Sequence, residues 1–199
     1  MFIFLQSFLR LRSVFCRTFL VKFFLLLVST EVNLLTHALH LSFPESPDRT
    51  LSPGSLCTRP IKYRYPERIA YCERNVESEQ KQKIIENYDE LLGFEIRSMN
   101  RIEFKIDHHI PLCAGGSNEN DNLWPQHRSV YEQTDPIEPQ LCKLMSMGKM
   151  RQVEAVEIIK EVKAKPKTSK EVLRKLLDRE YDNDLFEITH AEDLRYLLE

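Results

Sequence analysis

The chain has 199 residues, of which 28 are Lys or Arg and 30 are Asp or Glu, so its formal charge is −2. This length suffices for one domain with a modest core and a small appendage. The charge excludes a uniformly basic nucleic-acid-binding protein, because neutralising phosphates normally requires a basic surface.

The amino-terminal segment, residues 1–43, differs in composition from the rest of the chain. Basic residues precede an apolar run at residues 23–28, which is the order found in a secretory signal. The run is short for spanning a bilayer. We therefore predict a signal peptide or membrane anchor over residues 1–43, and export of the protein. A start codon placed too far upstream is the alternative, and no A-x-A motif marks a cleavage position.

The next segment, residues 44–58, is rich in proline and serine and is predicted to be a flexible linker. A cluster of basic residues follows it. These side chains form either a contact surface for a phosphate backbone or an ordinary solvated face. They are Arg59, Lys62, Arg64, Arg68, Arg74, Lys81 and Lys83.

A helix is predicted over residues 77–92, with Ser78 as a candidate cap and Gly93 as its end. Apolar residues recur there at helical spacing. A strand is predicted next, because Ile102, Phe104 and Ile106 alternate with polar residues. Lys105 and Asp107 are expected to face away from the core.

The strand leads into the chain's most informative segment, Asp107-His108-His109-Ile110-Pro111. Hydrolysis of a phosphodiester needs a divalent cation to offset charge and a base to deprotonate water. Asp107 offers a hard oxygen ligand, and His108 offers the base. Adjacent strand residues point to opposite faces, so the strand is expected to end or bend here, where Pro111 and Gly115-Gly116 break it. Asn118, Asn120 and Asn122 can each bond nearby backbone, and Asn122 is best placed to tie the loop.

The order Asp107, His108, Pro111, Gly115-Gly116, Asn122 resembles the HNH endonucleases, most closely the exported bacterial type with an Asn-Leu-Trp-Pro-Gln second strand. The resemblance covers residues 59–163. It implies an α+β class with a small ββα-metal hairpin-helix core packed with additional helices. It also implies His108 as general base, Asp107 as metal ligand and Asn122 as the residue that orients the base loop. The DHH phosphoesterases share the Asp-His-His sequence, but their further Asp motifs are absent here.

The family's remaining metal ligand is a His or Asn on the helix after the second strand, and residues 130–132 offer neither. The candidates are His127, Asp135 and Glu138, of which we favour His127 and Asp135 equally. One divalent ion is expected. Mg²⁺ suits carboxylates and water, whereas an added imidazole favours Mn²⁺, Zn²⁺ or Ni²⁺.

Apart from Cys16 in the predicted signal, four cysteines are present, an even number that suits two disulfides in an oxidising compartment. Four cysteines allow three pairings. We favour Cys57 with Cys72 and Cys113 with Cys142, because the second bond would clamp the catalytic loop to the following helix. The alternative is four reduced thiols.

Two helices are predicted after the motif. The first begins with Thr134 as N-cap and Pro136 in its first turn, and it ends near Met147. The second spans residues 149–163, with a core stripe of Val153, Val156, Ile159 and Val162. Residues 164–199 are predicted to be a linker and an acidic, partly helical appendage.

The sequence thus predicts an exported, metal-dependent endonuclease that cuts nucleic acid, DNA rather than RNA, with little sequence specificity. Lys105, Arg128 and Arg101 are the expected phosphate contacts. No small-molecule cofactor is expected, and membrane contact is expected only through the amino terminus. The alternative is a non-catalytic exported nucleic-acid-binding module that retains the HNH fold.

Overall fold

The computed structural model describes residues 43–181. The predicted signal or anchor, apart from Phe43, and the last part of the predicted acidic appendage lie outside the described residues. The strands are β1 (Lys62–Arg64), β2 (Ile69–Tyr71), β3 (Phe104–His108) and β4 (Leu123–His127). The helices are α1 (Ser78–Leu92), α2 (Arg128–Thr134), α3 (Ile137–Ser146), α4 (Gln152–Ala164) and α5 (169–181).

The strands form two small antiparallel hairpins. In the first, β1 pairs with β2 and Lys62 lies opposite Tyr71. In the second, β3 pairs with β4, so that Phe104 lies opposite His127 and Asp107 opposite Trp124. Helices with two small antiparallel sheets are compatible with the predicted α+β class.

Two groups of buried side chains hold these elements together. One joins β2, α3 and α4, and includes Ile69, Leu141 and Ile159. The other packs α1 against the β3–β4 hairpin, and includes Tyr88 and Trp124. The β3–β4 hairpin is therefore held firmly, which fixes the position of the residues at the end of β3.

The strand leading to the motif starts later than its sequence pattern suggests. Ile102 is 81% exposed and lies in a 3₁₀ turn, while β3 runs from Phe104 through His108 without ending at Asp107. Asp107 is also buried rather than solvent-facing. On this face of β3, Lys163 of α4 contacts Asp107, and an alternation pattern in one strand cannot reveal such a contact.

Helix α1 matches its predicted extent, although Glu77 and not Ser78 is the N-cap residue, and no side chain caps it. Gly93 ends the helix with φ of 75°, a left-handed conformation that glycine adopts without strain. Its amide donates to the Asp89 carbonyl. The predicted stop is therefore confirmed, and the predicted cap is wrong.

The prediction of a helix start at Thr134 is wrong. Thr134 is the last residue of α2, and its hydroxyl accepts a hydrogen bond from Gln126 Nε2 at 2.9 Å. Pro136 separates α2 from α3, because a proline lacks the amide hydrogen that would continue the helix. In α4, Val153 is 55% exposed, and the buried stripe consists of Ala155, Ile159 and Val162.

The segments on either side of residues 59–163 pack on this region. In the predicted linker 44–58, Ser52 is fully buried; its hydroxyl donates to the Leu123 carbonyl at 2.6 Å and accepts from Tyr88 at 2.9 Å. In α5, Leu176 joins the core. The structure thus differs from the expectation of a flexible linker at residues 44–58, because burial supplies an order that local composition does not show.

Both predicted disulfides are confirmed. Cys57 is bonded to Cys72 with Cα atoms 5.7 Å apart, and Cys113 to Cys142 with Cα atoms 5.8 Å apart. The first joins the two ends of the segment that contains β1 and β2. The second joins the loop after β3 to α3. Two disulfides fit an extracellular or other oxidising location.

Within residues 43–181, no helix has both the length and the apolar character that crossing a bilayer requires.

Candidate functional site

Three carboxylates meet at the end of β3. Asp107 lies on the strand, Asp135 lies between α2 and α3, and Glu138 lies in the first turn of α3. One oxygen atom of each is within 4.8 Å of the others. An open cavity of about 500 Å³ is lined by these residues together with His108, Arg64 and Arg74. The predicted metal ligands Asp107 and Asp135 are therefore brought together, with Glu138 as a third member.

A buried lysine, which the sequence reading missed, completes this cluster. Lys163 on α4 is 0% exposed, and its Nζ lies 2.6 Å from Glu138 Oε1 and 3.3 Å from Asp107 Oδ2. It also donates to the His108 carbonyl. A buried ammonium group is stable only when it is paired and hydrogen-bonded, and these three acceptors meet that requirement.

The cluster shifts the pKa of its members. Burial opposes charge on Lys163, but the carboxylates of Asp107 and Glu138 outweigh it and raise the pKa of Lys163. Burial also opposes charge on Asp107, yet Lys163 and Lys105 lower the pKa of Asp107 to about 2. Burial, with a smaller contribution from Asp107, raises the pKa of Glu138 against the effect of Lys163. Asp107 is therefore ionised at neutral pH, as a ligand must be.

Lys105 belongs to the same cluster. Its Nζ lies 2.7 Å from both Asp135 oxygens and 3.4 Å from Asp107 Oδ2. The predicted phosphate contact is thus an ion-pair partner of two acids. Three carboxylates and two ammonium groups leave one unit of negative charge, and carboxylate oxygens are the ligands that Mg²⁺ prefers. The donor set fits a hard divalent cation.

His108 lies at the wall of the same cavity, although it is largely buried. Its Nε2 is 3.1 Å from Asn118 Oδ1, and its Nδ1 is 3.3 Å from Arg74 Nη1. Arginine has no acceptor, so Nδ1 carries the lone pair and Nε2 carries the proton. Burial lowers the pKa of His108 below its ordinary value, against the opposing effect of Asn118. The imidazole is therefore neutral at pH 7, as a base requires.

Asn118 holds this arrangement through its own contacts. Its Nδ2 donates to the Glu73 carbonyl at 2.7 Å, which leaves Oδ1 to accept from His108. The sequence predicted Asn118 only as a loop residue that bonds nearby backbone, and not as a partner of His108. Nothing in its local sequence distinguishes it from the neighbouring asparagines, because its role depends on how the loop folds back onto His108.

Asn122 is fully buried and ties the loop together. Its Oδ1 accepts from the Ile110 amide at 2.8 Å, and its Nδ2 donates to the carbonyls of Ile110 at 3.0 Å and Ser117 at 2.8 Å. Its own carbonyl accepts from the His109 amide at 2.7 Å. Asn122 contacts the backbone of the loop, and the side chains that bond the His108 ring are Asn118 and Arg74.

The structure does not bring His127 to the carboxylates. This residue lies opposite Phe104, three pairs along the hairpin from Asp107. Its ring stacks on Phe43 with centroids 3.9 Å apart, and its Nδ1 accepts from the Ser129 amide at the start of α2.

The two remaining predicted phosphate contacts, Arg128 and Arg101, are also engaged elsewhere. Arg128 pairs with Glu132 at 2.7 Å, and Arg101 donates to the Phe104 carbonyl at 2.7 Å.

Comparisons with family models, with curated proteins and with solved structures returned no match.

Proposed function

We propose that the chain is a metal-dependent endonuclease of the HNH type that hydrolyses phosphodiester bonds in DNA with little sequence preference. The observation that carries the proposal is the meeting of Asp107, Asp135 and Glu138 with the neutral imidazole of His108 at one open cavity. Charged ligands and a positioned base are the two requirements of this chemistry.

Each residue then has a defined part. A divalent cation held by Asp107, Asp135 and Glu138 would offset charge on the phosphate and on the departing oxygen. His108 takes a proton from water at Nδ1, while Asn118 holds the opposite edge of the ring. Arg74 lies 3.3 Å from Nδ1 in this structure, and we propose that it would leave this position for a phosphate oxygen of the bound DNA. Asn122 keeps the loop in place through the backbone.

The ligand set also narrows the choice of ion. With His127 stacked on Phe43, the three acids that remain offer oxygen atoms alone. Mg²⁺ is the ion we propose, with Mn²⁺ as a substitute, because both accept carboxylate and water ligands. Export through the predicted amino-terminal signal is part of the proposal, and the two disulfides support it.

The proposal is tested by plasmid nicking with the purified full chain in Mg²⁺, in Mn²⁺ and in EDTA. We expect His108→Ala to lose about 100-fold or more in nicking rate, since a general base contributes about 10² to 10⁴. The matched control is His127→Asn, which removes an imidazole outside the cavity and retains a capping side chain. Its rate should stay within about twofold, as expected for a residue without a part in the chemistry. Undiminished nicking by His108→Ala would contradict the proposal.

One observation favours the second candidate, a non-catalytic nucleic-acid-binding module. Lys105 and Lys163 already neutralise most of the acidic charge, so the cluster is stable as an internal ion-pair network. Titration calorimetry with Mg²⁺ and Mn²⁺ separates the two. Metal binding by the unaltered chain that is abolished in Asp107→Asn supports the enzyme. An unaltered chain that neither binds a metal ion nor nicks plasmid supports the module.

A further inference from the structure

Beside the acidic cavity, the β1–β2 hairpin presents a concentration of positive charge. Residues 59–74 contain five Lys or Arg residues and two Glu residues, in a chain whose total charge is −2. One of the two acids is engaged, since Glu67 Oε2 accepts from the Gln152 amide at 2.6 Å. Lys62 and Arg68 are exposed. The hairpin therefore shows a net positive surface to solvent.

Aromatic rings hold the cations of the hairpin in position. Arg64 Cζ lies 3.4 Å from the centroid of the Tyr71 ring, and Lys62 Nζ lies 5.3 Å from the same centroid. Arg68 Cζ lies 5.4 Å from the centroid of Tyr63. Cation–π contacts of this kind restrict long side chains before any ligand arrives, which lowers the entropy lost on binding.

The hairpin is also fixed to the rest of the domain. The Cys57–Cys72 disulfide joins its two ends, and Ile69 on β2 is buried in the core. Arg64 and Tyr71 line the same cavity as Asp107. The positive surface is therefore continuous with the site at which a phosphate would be cut.

We propose that the β1–β2 hairpin binds the phosphate backbone of duplex DNA beside the scissile phosphate, through Lys62, Arg64 and Arg68. This inference rests on the proposed function, because the DNA that is held is the DNA that is cut. Single-strand binders use open aromatic faces on which bases stack. Here guanidinium groups lie over Tyr71 and Tyr63, so the rings support phosphate-binding cations instead.

The test is fluorescence anisotropy with a labelled duplex, carried out in EDTA at several salt concentrations with the full chain. The variant is Lys62→Gln with Arg68→Asn, which leaves the cavity wall intact. Asn suits position 68 because its φ is 58°, a conformation that Asn tolerates better than most residues. The control is Lys167→Gln with Lys170→Gln, which removes the same charge from exposed positions near and on α5.

Loss of two phosphate contacts should reduce the slope of log K against log salt by about 1.8, since each contributes about 0.9 on duplex DNA. With 1 M salt as the reference, this corresponds to about sixtyfold weaker binding at 0.1 M salt. The control should bind like the unaltered chain. A slope unchanged in the hairpin variant, or lowered equally in the control, would overturn the inference.

Two comparisons keep this inference separate from the proposed function. Duplex binding that depends on the hairpin, in a chain that nicks no plasmid in any metal, would support the inference and reject the enzyme. Normal plasmid nicking by the unaltered chain, together with a hairpin variant that binds duplex DNA as tightly as the unaltered chain, would support the enzyme and reject the inference. A single strand of equal length should bind more weakly, and tighter single-strand binding lost in the hairpin variant would overturn the duplex assignment.

Discussion

Lys163 is a buried cation that pairs with two of the three acids of the candidate site. Its ammonium group joins Asp107 on β3 to Glu138 on α3, two acids that would otherwise repel each other. The position itself was accessible to sequence reasoning, because it lies four residues after the buried Ile159 on the same helix. Its partners were not, since they lie 56 and 25 residues away along the chain.

Replacing Lys163 by Met should destabilise the metal-free protein by about 3 to 5 kcal/mol, because two carboxylates lose their buried partner. Mg²⁺ should restore part of this loss, and its stabilising effect should exceed that on the unaltered chain, where Lys163 competes for the same oxygens. Urea unfolding with Mg²⁺ and with EDTA measures both effects. Lys165→Met, which removes only an exposed ion pair with Glu161, is the control. A variant indifferent to Mg²⁺ would speak against a cation site.

The sequence pattern predicted only part of the structure of the loop between β3 and β4. The Gly-Gly pair and the asparagines were correctly taken as loop residues, and Gly115 has φ of 85°, which explains one glycine. Glycine is required at position 116 for a different reason, because the Ile110 carbonyl approaches it closely. Such an approach across six residues is set by Asn122, and no local pattern indicates it.

Gly116→Ala should therefore destabilise the fold by about 3 kcal/mol, at the upper end of the usual cost of overpacking. The added Cβ would stand 1.9 Å from the Ile110 carbonyl oxygen and 2.9 Å from Asn122 Nδ2, so the loop backbone must move. Gly148→Ala is the matched control. There the nearest atom is 3.7 Å away, and only the left-handed φ of 69° should cost about 1 to 2 kcal/mol. Equal losses in urea unfolding would contradict this account.

Among the regular elements, helices with a strong apolar period were predicted best. Helix α1 was placed within one residue, whereas the start of α3 was placed too early, at Thr134, which is the last residue of α2. The Thr-Asp-Pro sequence resembles a helix start, yet in the structure Pro136 interrupts helical backbone that is already formed. In the first turn of a helix a proline breaks no hydrogen bond, whereas after helical residues it removes one, and only the chain that precedes the proline decides which case applies.

At the scale of the whole molecule, the segment 44–58 is the clearest difference from expectation. Proline and serine predicted a linker, but Ser52 is buried between α1 and β4, where it bonds Tyr88 and Leu123. Ser52 also contributes its carbonyl to His109 Nδ1 at 2.7 Å. The composition of a segment indicates only its conformation in isolation. The order of segment 44–58 comes from contacts of Ser52 with residues 36 and 71 positions away.

This burial gives the molecule a predictable response to acid. Burial, against the hydrogen bond to Ser52, lowers the pKa of His109 from 6.5 to about 4, and Lys160 and Lys163 nearby act in the same direction. The unfolded chain therefore takes up a proton near pH 6.5, and the folded chain takes it up near pH 4. The stability due to neutral His109 is complete above pH 6.5 and is lost as the pH falls to about 4, by an amount on the order of 3 kcal/mol.

Urea unfolding between about pH 7 and pH 4 measures this loss, and His109→Asn removes the titrating ring while retaining a donor for the Ser52 carbonyl. The variant should show a flatter dependence of unfolding free energy on pH across that interval. Asp107 acts in a separate window, because the stability due to its ionised form is lost as the pH falls from its ordinary pKa of 3.8 to its pKa of about 2 in the folded chain. The same pH dependence in the variant would show that other groups cause it.

The ammonium groups of Lys105 and Lys163 also allow the acidic cluster to form before any metal ion is bound. Since they already balance most of the negative charge, the three acids can stand side by side as soon as the chain folds. Folding of the acidic cluster therefore needs no metal ion, and the proposed Mg²⁺ would have to displace part of these ion pairs when it binds.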